Sequence, residues 1–410
     1  MSPVSLPCTT TLTSSHQAYI SVPFRITFAM EDLLDQIRTL AHHGDEKQRQ
    51  EILDSLQSLR NSIEQPNDTV QRFTFYNLQL AALRVGVNLK LFSSLEGGQA
   101  PLTVAQLSEK TGADSVFLGR LLRYLASFGA IQETGKDAFT ANNITKTFSQ
   151  SGFQAAICHY FDTMGPSIQN LPSFLEETKY ADPEDSANTA LQKAFNTDQP
   201  AFFWLQTQPQ KMAFFQEYLT TNRAGMPTFL DAYPVLDRAT GLSPERALFV
   251  DIGGGFGQQA IAFREKYSHL EGRVIVQDLA PTLQHALQHP RVETMAQDFF
   301  QPQAVKGGKF YYLRNIFHDW PDDKVRTILK NTIDALASDS VILIDDMVLP
   351  DVGVHWQAAQ LDILMMTTLA ARERTQDQWY QLLNSAGLKV NKIYTYTATL
   401  KDSIIETVPV

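Results

Sequence analysis

The sequence contains only two cysteines in 410 residues, Cys8 and Cys158. They form neither a CxxC pair nor a zinc-ligand spacing. A disulfide-stapled scaffold and a structural metal are therefore excluded, and a reducing compartment, the cytoplasm, is expected. No uninterrupted apolar stretch reaches the ~18–20 residues that span a bilayer, so no membrane partner is expected. Basic residues are not in surplus either: Lys+Arg 34 against Asp+Glu 44 leaves a net charge of −10. Without a local basic patch, that balance disfavours nucleic acid and anionic lipid. With 43% hydrophobic and 19% charged residues, low-complexity and disordered classes do not fit. What is left is a globular chain long enough for two or three domains of ~100–200 residues.

Residues 1–29 are rich in Ser, Thr and Pro and have no basic-then-apolar leader pattern, so they read as a loose, disordered tail. Met30 opens the first periodic segment and is a possible alternative start. Leu33, Leu34, Ile37 and Leu40, then Ile52, Leu53, Leu56 and Leu59, predict two helices broken at residues 42–45. Val70–Leu95 reads as one long helix, too apolar to stand alone in water. Thr103 caps a short helix that ends at Gly112, Asp114 opens another, and Ala130–Thr140 looks like a small β-wing. That order predicts a winged-helix domain over 30–150. DNA binding is one reading of it; a dimerisation or lid module is favoured, because the second helix offers only Arg120 and Arg123. Residues 151–245 are helical and aromatic, which suits a substrate lid or plain core. From 246 to 410, strand-like runs at Ala247–Ile252, Arg273–Asp278, Lys309–Ile316 and Val341–Asp345 alternate with helical segments at about Gln258–Lys266, Thr282–Gln288 and Asp323–Ala337. That alternation predicts an α/β fold with a doubly wound parallel sheet, whose ligands sit at the carboxyl ends of the strands.

The strongest chemical signal is the strand Leu248–Ile252 running through Asp251 into Gly253-Gly254-Gly255-Phe256-Gly257. Glycines there let a ligand approach the backbone. Asp278 ends the next strand, before Leu279, where a carboxylate can take both hydroxyls of a ribose. A third glycine of the GxGxxG pattern is missing, which disfavours a pyrophosphate. S-adenosylmethionine has a ribose, an adenine and an amino-acid tail but no phosphate, and it fits. Asp298 and Phe299, after the third strand, then flank the adenine. Asp251, Gly253, Gly255, Asp278, Leu279, Asp298, Phe299 and Arg314 are thus the candidate cofactor-binding residues. His318, in Phe317-His318-Asp319-Trp320-Pro321, stands at the end of the fourth strand, either as a general base oriented by Glu373 and Asp346 or as a structural hydrogen-bonder.

Together these motifs resemble the plant and fungal small-molecule O-methyltransferases. Those enzymes join a dimerising winged-helix part to a class I methyltransferase domain. The resemblance implies a homodimer, S-adenosylmethionine, His318 as base, Glu373 as its support and Asp346 where the family usually has glutamate. Leu191–Gln199, Ala247–Gly255 and Asp345-Asp346 are more similar to the fungal leporin-type pericyclases, which keep this fold and cofactor. They act on 2-pyridone alkaloid precursors by dehydration and pericyclic ring formation. By that resemblance His159 and Arg223 hold the substrate's polar oxygens, and His318-Asp319 falls where an arginine-aspartate pair is found. The implied function is a pericyclase that transfers no methyl group. The alternatives are an O-methyltransferase of a phenolic or pyridone metabolite and, from another class, a winged-helix regulatory protein.

Overall fold

The computed structural model describes residues 21–98, 100–223, 225–239 and 242–410. The greater part of the residues read as a loose tail, with Cys8, lies outside them. The first helix, Ser21–His43, begins nine residues before Met30, so the tail reading is corrected for residues 21–29. The chain forms two compact units, divided after Gln71.

In the first unit a second helix, Glu46–Ile63, starts at the polar break foreseen at 42–45. Asp45 caps it: its Oδ1 accepts the Gln48 amide at 2.9 Å, and Gln48 Oε1 accepts the Asp45 amide at 2.9 Å. Its apolar stripe faces outward, with Leu53 46% and Leu59 54% exposed.

The second unit corrects the single helix read over Val70–Leu95. The chain instead forms helices Pro66–Thr74, Tyr76–Asn88 and Leu91–Glu96. Lys90 takes a left-handed φ of 53°, turning the last helix so that Leu91, Phe92 and Leu95 enter the core. Gly86 permits this, because a Cβ there would lie 2.9 Å from the Phe92 ring. Tertiary packing thus overrides a continuous helical period. The next elements follow the sequence reading closely. Thr103 caps Val104–Thr111, Gly112 ends it in the left-handed region, and Asp114 caps Ser115–Ser127 through the Val116 and Phe117 amides. The wing is β2 (Gln132–Gly135) against β3 (Ala138–Thr140), with β1 (Leu102–Thr103) on the other side of β3. Residues 151–245 carry helices, as expected, from Ser151–His159 to Val235–Arg238.

The large sheet contains β4 (Ala247–Ile252), β5 (Arg273–Asp278), β6 (Glu293–Ala296), β7 (Phe310–Arg314) and β8 (Val341–Leu349), all parallel, in the order β6-β5-β4-β7-β8. A two-residue strand, β9 (Arg374–Thr375), pairs with the end of β8. Beyond β8 lie β11 (Asp402–Pro409) and β10 (Leu388–Thr395), an antiparallel edge that the sequence reading did not foresee. The strand read over Lys309–Ile316 stops at Arg314, because Asn315 has a φ of 50°, and the helix read over Thr282–Gln288 shrinks to Ala280–Leu283. Both faces of the sheet are covered. Leu313, Ile328 and Trp379 fill one side; Phe229, Phe263 and Tyr312 fill the other, with Phe249 stacked on Phe263 at 4.2 Å. Strands buried on both faces read as continuous apolar runs, which is why β4, β7 and β8 were legible. Among the described residues no helix is long and apolar enough to cross a membrane.

Candidate active site

The glycine turn leaves β4 with Gly253, Gly255 and Gly257 all at positive φ. The Gly253 and Gly254 amides donate to the Gln277 carbonyl at 2.8 and 3.0 Å, anchoring the turn to the end of β5. The glycines serve different ends. A Cβ at 253 would lie 2.5 Å from Ile316 Cδ1, and at 254 it would lie 2.6 Å from the Asp251 carboxyl carbon, whereas at 255 it would meet nothing within 4 Å. Gly255 therefore faces open space, which leaves its backbone open to close approach. Its amide donates to Asp278 Oδ2 at 2.9 Å, and the Leu279 amide donates to Asp278 Oδ1 at 2.7 Å. Each carboxylate oxygen keeps a lone pair for a hydroxyl donor.

Phe299 lies 3.6 Å from where a Gly253 Cβ would stand, so the loop carrying Asp298 and Phe299 does join the glycine turn. Asp298 Oδ1 accepts the Phe300 amide at 2.9 Å. A reciprocal pair that sequence reasoning missed secures this loop: Gln277 Nε2 donates to Gln303 Oε1 and Gln303 Nε2 to Gln277 Oε1, each at 2.8 Å. Both residues are buried, and two polar residues 26 apart gave no signal. Asp251 is only 1% exposed and lies beneath the turn. Burial pushes its carboxyl up to about 7, against the pull of Arg314. Arg314 itself faces Asp345 at 3.7 Å. Arg314 is the last residue of β7 and pairs across to Asp345 of β8.

His318 sits in a 3-10 turn, Phe317–Asp319, just after β7. Its Nδ1 is 2.8 Å from Glu373 Oε1, and its Nε2 is 3.5 Å from Asp319 Oδ1. Burial opposes the charge, but the carboxylates of Glu373 and Asp319 outweigh it and raise the imidazole to about 10. Arg374, to which the sequence reading gave no role, holds this loop in place. It is 1% exposed and donates to the carbonyls of Phe317 at 2.8 Å and Trp320 at 3.0 Å and to Asp322 at 2.7 Å. Asp346 is fully buried, and neither of its oxygens has a hydrogen-bond partner. Burial pushes it up to about 8, despite the attraction of His318. It therefore acts within the cluster, while His318 and Asp319, at 16% and 18% exposed, reach the surface of the site.

His159 ends the helix Ser151–His159 inside a ring cage, with Phe215 at 5.1 Å, Tyr160 at 5.8 Å and Tyr218 at 6.1 Å. It is 3% exposed, and its Nδ1 makes no hydrogen bond within the protein. Burial, helped by the charge of Lys211, lowers it to about 4, so it is neutral at physiological pH. Arg223, at a φ of 62°, is held by Asp402 Oδ1 at 3.0 Å and Asn315 Oδ1 at 3.0 Å. Asn315 is three residues before His318, so Arg223 is brought to the exit of β7. The Leu191–Gln199 segment walls an open, largely polar cleft of about 660 Å³, which none of the other candidate residues lines.

Residues 184–389 match the O-methyltransferase domain, and residues 72–151 match the O-methyltransferase dimerisation domain. The chain belongs to the fungal O-methyltransferase family. It is 43% identical to the O-methyltransferase lepI of Aspergillus flavus over 367 residues, covering 88% of this chain and 94% of that protein. It is 40% identical to the demethylsterigmatocystin 6-O-methyltransferase of Aspergillus parasiticus over 368 residues, covering 89% and 95%. The structure of LepI in complex with S-adenosylmethionine superposes with a TM-score of 0.89 at 40% identity, covering 95% of this chain and all of that one. This family member binds S-adenosylmethionine, and the open face at Gly255 with the tethered Asp278 fits that cofactor. Asp278→Ala is expected to weaken its binding by roughly 1.5–3 kcal/mol, the range for a hydrogen bond to a charged group. Calorimetric titration with unchanged affinity would remove Asp278 from the site.

Proposed function

We propose that the chain is a cytoplasmic, S-adenosylmethionine-binding pericyclase acting on a polyketide–amino-acid 2-pyridone, by dehydration and stereoselective cyclisation without methyl transfer. One observation carries this reading: His318 stands between two carboxylates, Glu373 at 2.8 Å and Asp319 at 3.5 Å, which favour its protonated form. An imidazole that already holds its proton at neutral pH is a poor general base for a phenol but a good fixed donor to a developing oxyanion. The bound cofactor supplies a sulfonium charge, which stabilises negative charge strongly in a dry pocket. His159, being neutral, can donate one hydrogen bond to a pyridone or amide oxygen. Arg223 adds a second cationic donor, pre-oriented by Asp402 and Asn315. The aromatic helices of 151–245 fold the apolar arm and lower the entropic cost of closing the ring. The structure of "A Pericyclic Reaction enzyme", 40% identical with a TM-score of 0.89, favours the same reading.

An O-methyltransferase of a phenol or pyridone is the second reading. The close histidine–glutamate pair and the likeness to the sterigmatocystin-type methyltransferase favour it. Incubation with methyl-labelled cofactor and a dehydratable pyridone alcohol separates the two: label in the product at the rate of turnover overturns the pericyclase reading.

In this proposal residues 30–150 build a homodimer, 151–245 roof the substrate and 246–410 hold the cofactor. The outward apolar stripe of Glu46–Ile63 and the exposed Leu78 support the dimer. Such an interface should bury at least ~2,000 Å². Light scattering should report a dimer at micromolar concentration; a monomer there contradicts the assignment.

A further inference from the structure

The helix ending in His159 does not continue regularly. Tyr160–Met164 form one π-helical turn, in which the Tyr160 carbonyl accepts the Gly165 amide five residues on. Such turns are rare and insert one extra residue into a helix. Pro166 accounts for it. Proline has no N–H for the carbonyl four residues back, that of Asp162, and its ring would clash with that carbonyl in a regular α-helix. The Asp162 carbonyl accepts Lys211 Nζ instead, at 2.5 Å. Its side chain accepts Arg84 Nη2 at 2.9 Å and Nε at 3.2 Å. Lys211 comes from the helix Pro209–Thr221 and Arg84 from Tyr76–Asn88, so three elements meet at one turn. Lys211 also stands 5.3 Å over Phe195, which stacks on Trp204 at 4.2 Å. Phe195 belongs to the Leu191–Gln199 segment, which supplies none of the groups invoked for the reaction.

We propose that Lys211 is a positioning residue for His159: it replaces the amide that Pro166 cannot supply, holds the π-helical turn, and so orients the imidazole at the end of the preceding helix. The inference rests on the reading of His159 as a substrate-holding group. Lys211 has a second effect through its charge. Together with burial it keeps His159 neutral. The other charges on the elements packed around this helix are engaged or remote: Arg84 and Asp162 pair with each other, Glu217 accepts Ser151 Oγ at 2.6 Å at the far end, and Lys146 is exposed.

Imidazole nitrogen NMR on the full chain, without substrate, tests this, with His159→Gln assigning the signal. Lys211→Met should raise the His159 midpoint and shift its tautomer balance, and Lys211→Arg should restore both. Adding Pro166→Ala to Lys211→Met returns an amide to the Asp162 carbonyl, so it should recover thermal stability but not the midpoint. If Lys211→Met alone does not fold, the double variant carries the comparison. A His159 signal with the same midpoint and tautomer with and without Lys211 overturns the proposal. Because no turnover enters, that result stands apart from whether the reaction is pericyclic or a methyl transfer.

Discussion

Replacing His318 by alanine is expected to slow conversion of a dehydratable 2-pyridone alcohol by about 10²–10³, the usual cost of one donor to a developing oxyanion. Replacing it by arginine should retain most of the rate. The contrast follows from the charge of the side chain. Glu373 at 2.8 Å and Asp319 at 3.5 Å favour the protonated imidazole, so in the proposed pericyclase its service is that of a cation, and a guanidinium can render it. A methyltransferase predicts the reverse for arginine, since a guanidinium cannot take a phenolic proton at neutral pH. His159→Ala should cost a similar 10²–10³ in the pericyclic reaction through loss of its hydrogen bond. Rates of the three variants on one substrate, with methyl label traced throughout, give the answer. An arginine variant as inactive as the alanine variant, with label in the wild-type product, sinks the assignment.

The parts of this site that were legible in the sequence are those in which local chemistry and chain order coincide. A buried parallel strand followed at once by a glycine turn is recognisable because period, turn residue and carboxylate fall within ten positions. Asp278 and Asp298 were found in the same way, each at a strand end. The supports were not legible, because each depends on partners distant in sequence. Arg374 reads as an ordinary charged residue until β9 brings it to the carbonyls of Phe317 and Trp320. Gln277 and Gln303 are two unremarkable amides until the loop after β6 folds back. The state of His318 was the subtler omission. Its position suggested a base, but the acidic side chains that bias its protonation converge from separate segments, at 319, 346 and 373, and no local motif reports them. The break at Lys90 was missed for a related reason: helical period reports which residues are apolar, not where Phe92 must turn to meet Gly86.

Glu373→Gln should have the largest effect on stability, a loss whose size depends on pH. Glu373 is 1% and His318 16% exposed, and removing one partner of a buried pair costs about 3–5 kcal/mol. With Asp319 still present, the lower end of that range is expected. His318 is raised in the native state to about 10, against ~6.5 unfolded. Its stabilisation is therefore complete below pH ~6.5 and is lost as pH rises through about 10. The gap between wild type and Glu373→Gln should accordingly be widest near pH 6 and close towards pH 10. Asp346 titrates in the same sense over a lower window: raised to about 8 from ~3.9, its stabilisation is complete below pH ~3.9 and is lost as pH rises through about 8. Asp346→Asn, which keeps the shape without the charge, should match wild type near pH 4, gain on it as pH rises from 4 to 8 and keep that advantage above pH 8. Thermal unfolding of the three proteins at equal concentration across pH 4–10 measures both trends. A Glu373→Gln deficit that does not change with pH would show that His318 carries no proton in the native cluster, and would return it to the role of general base.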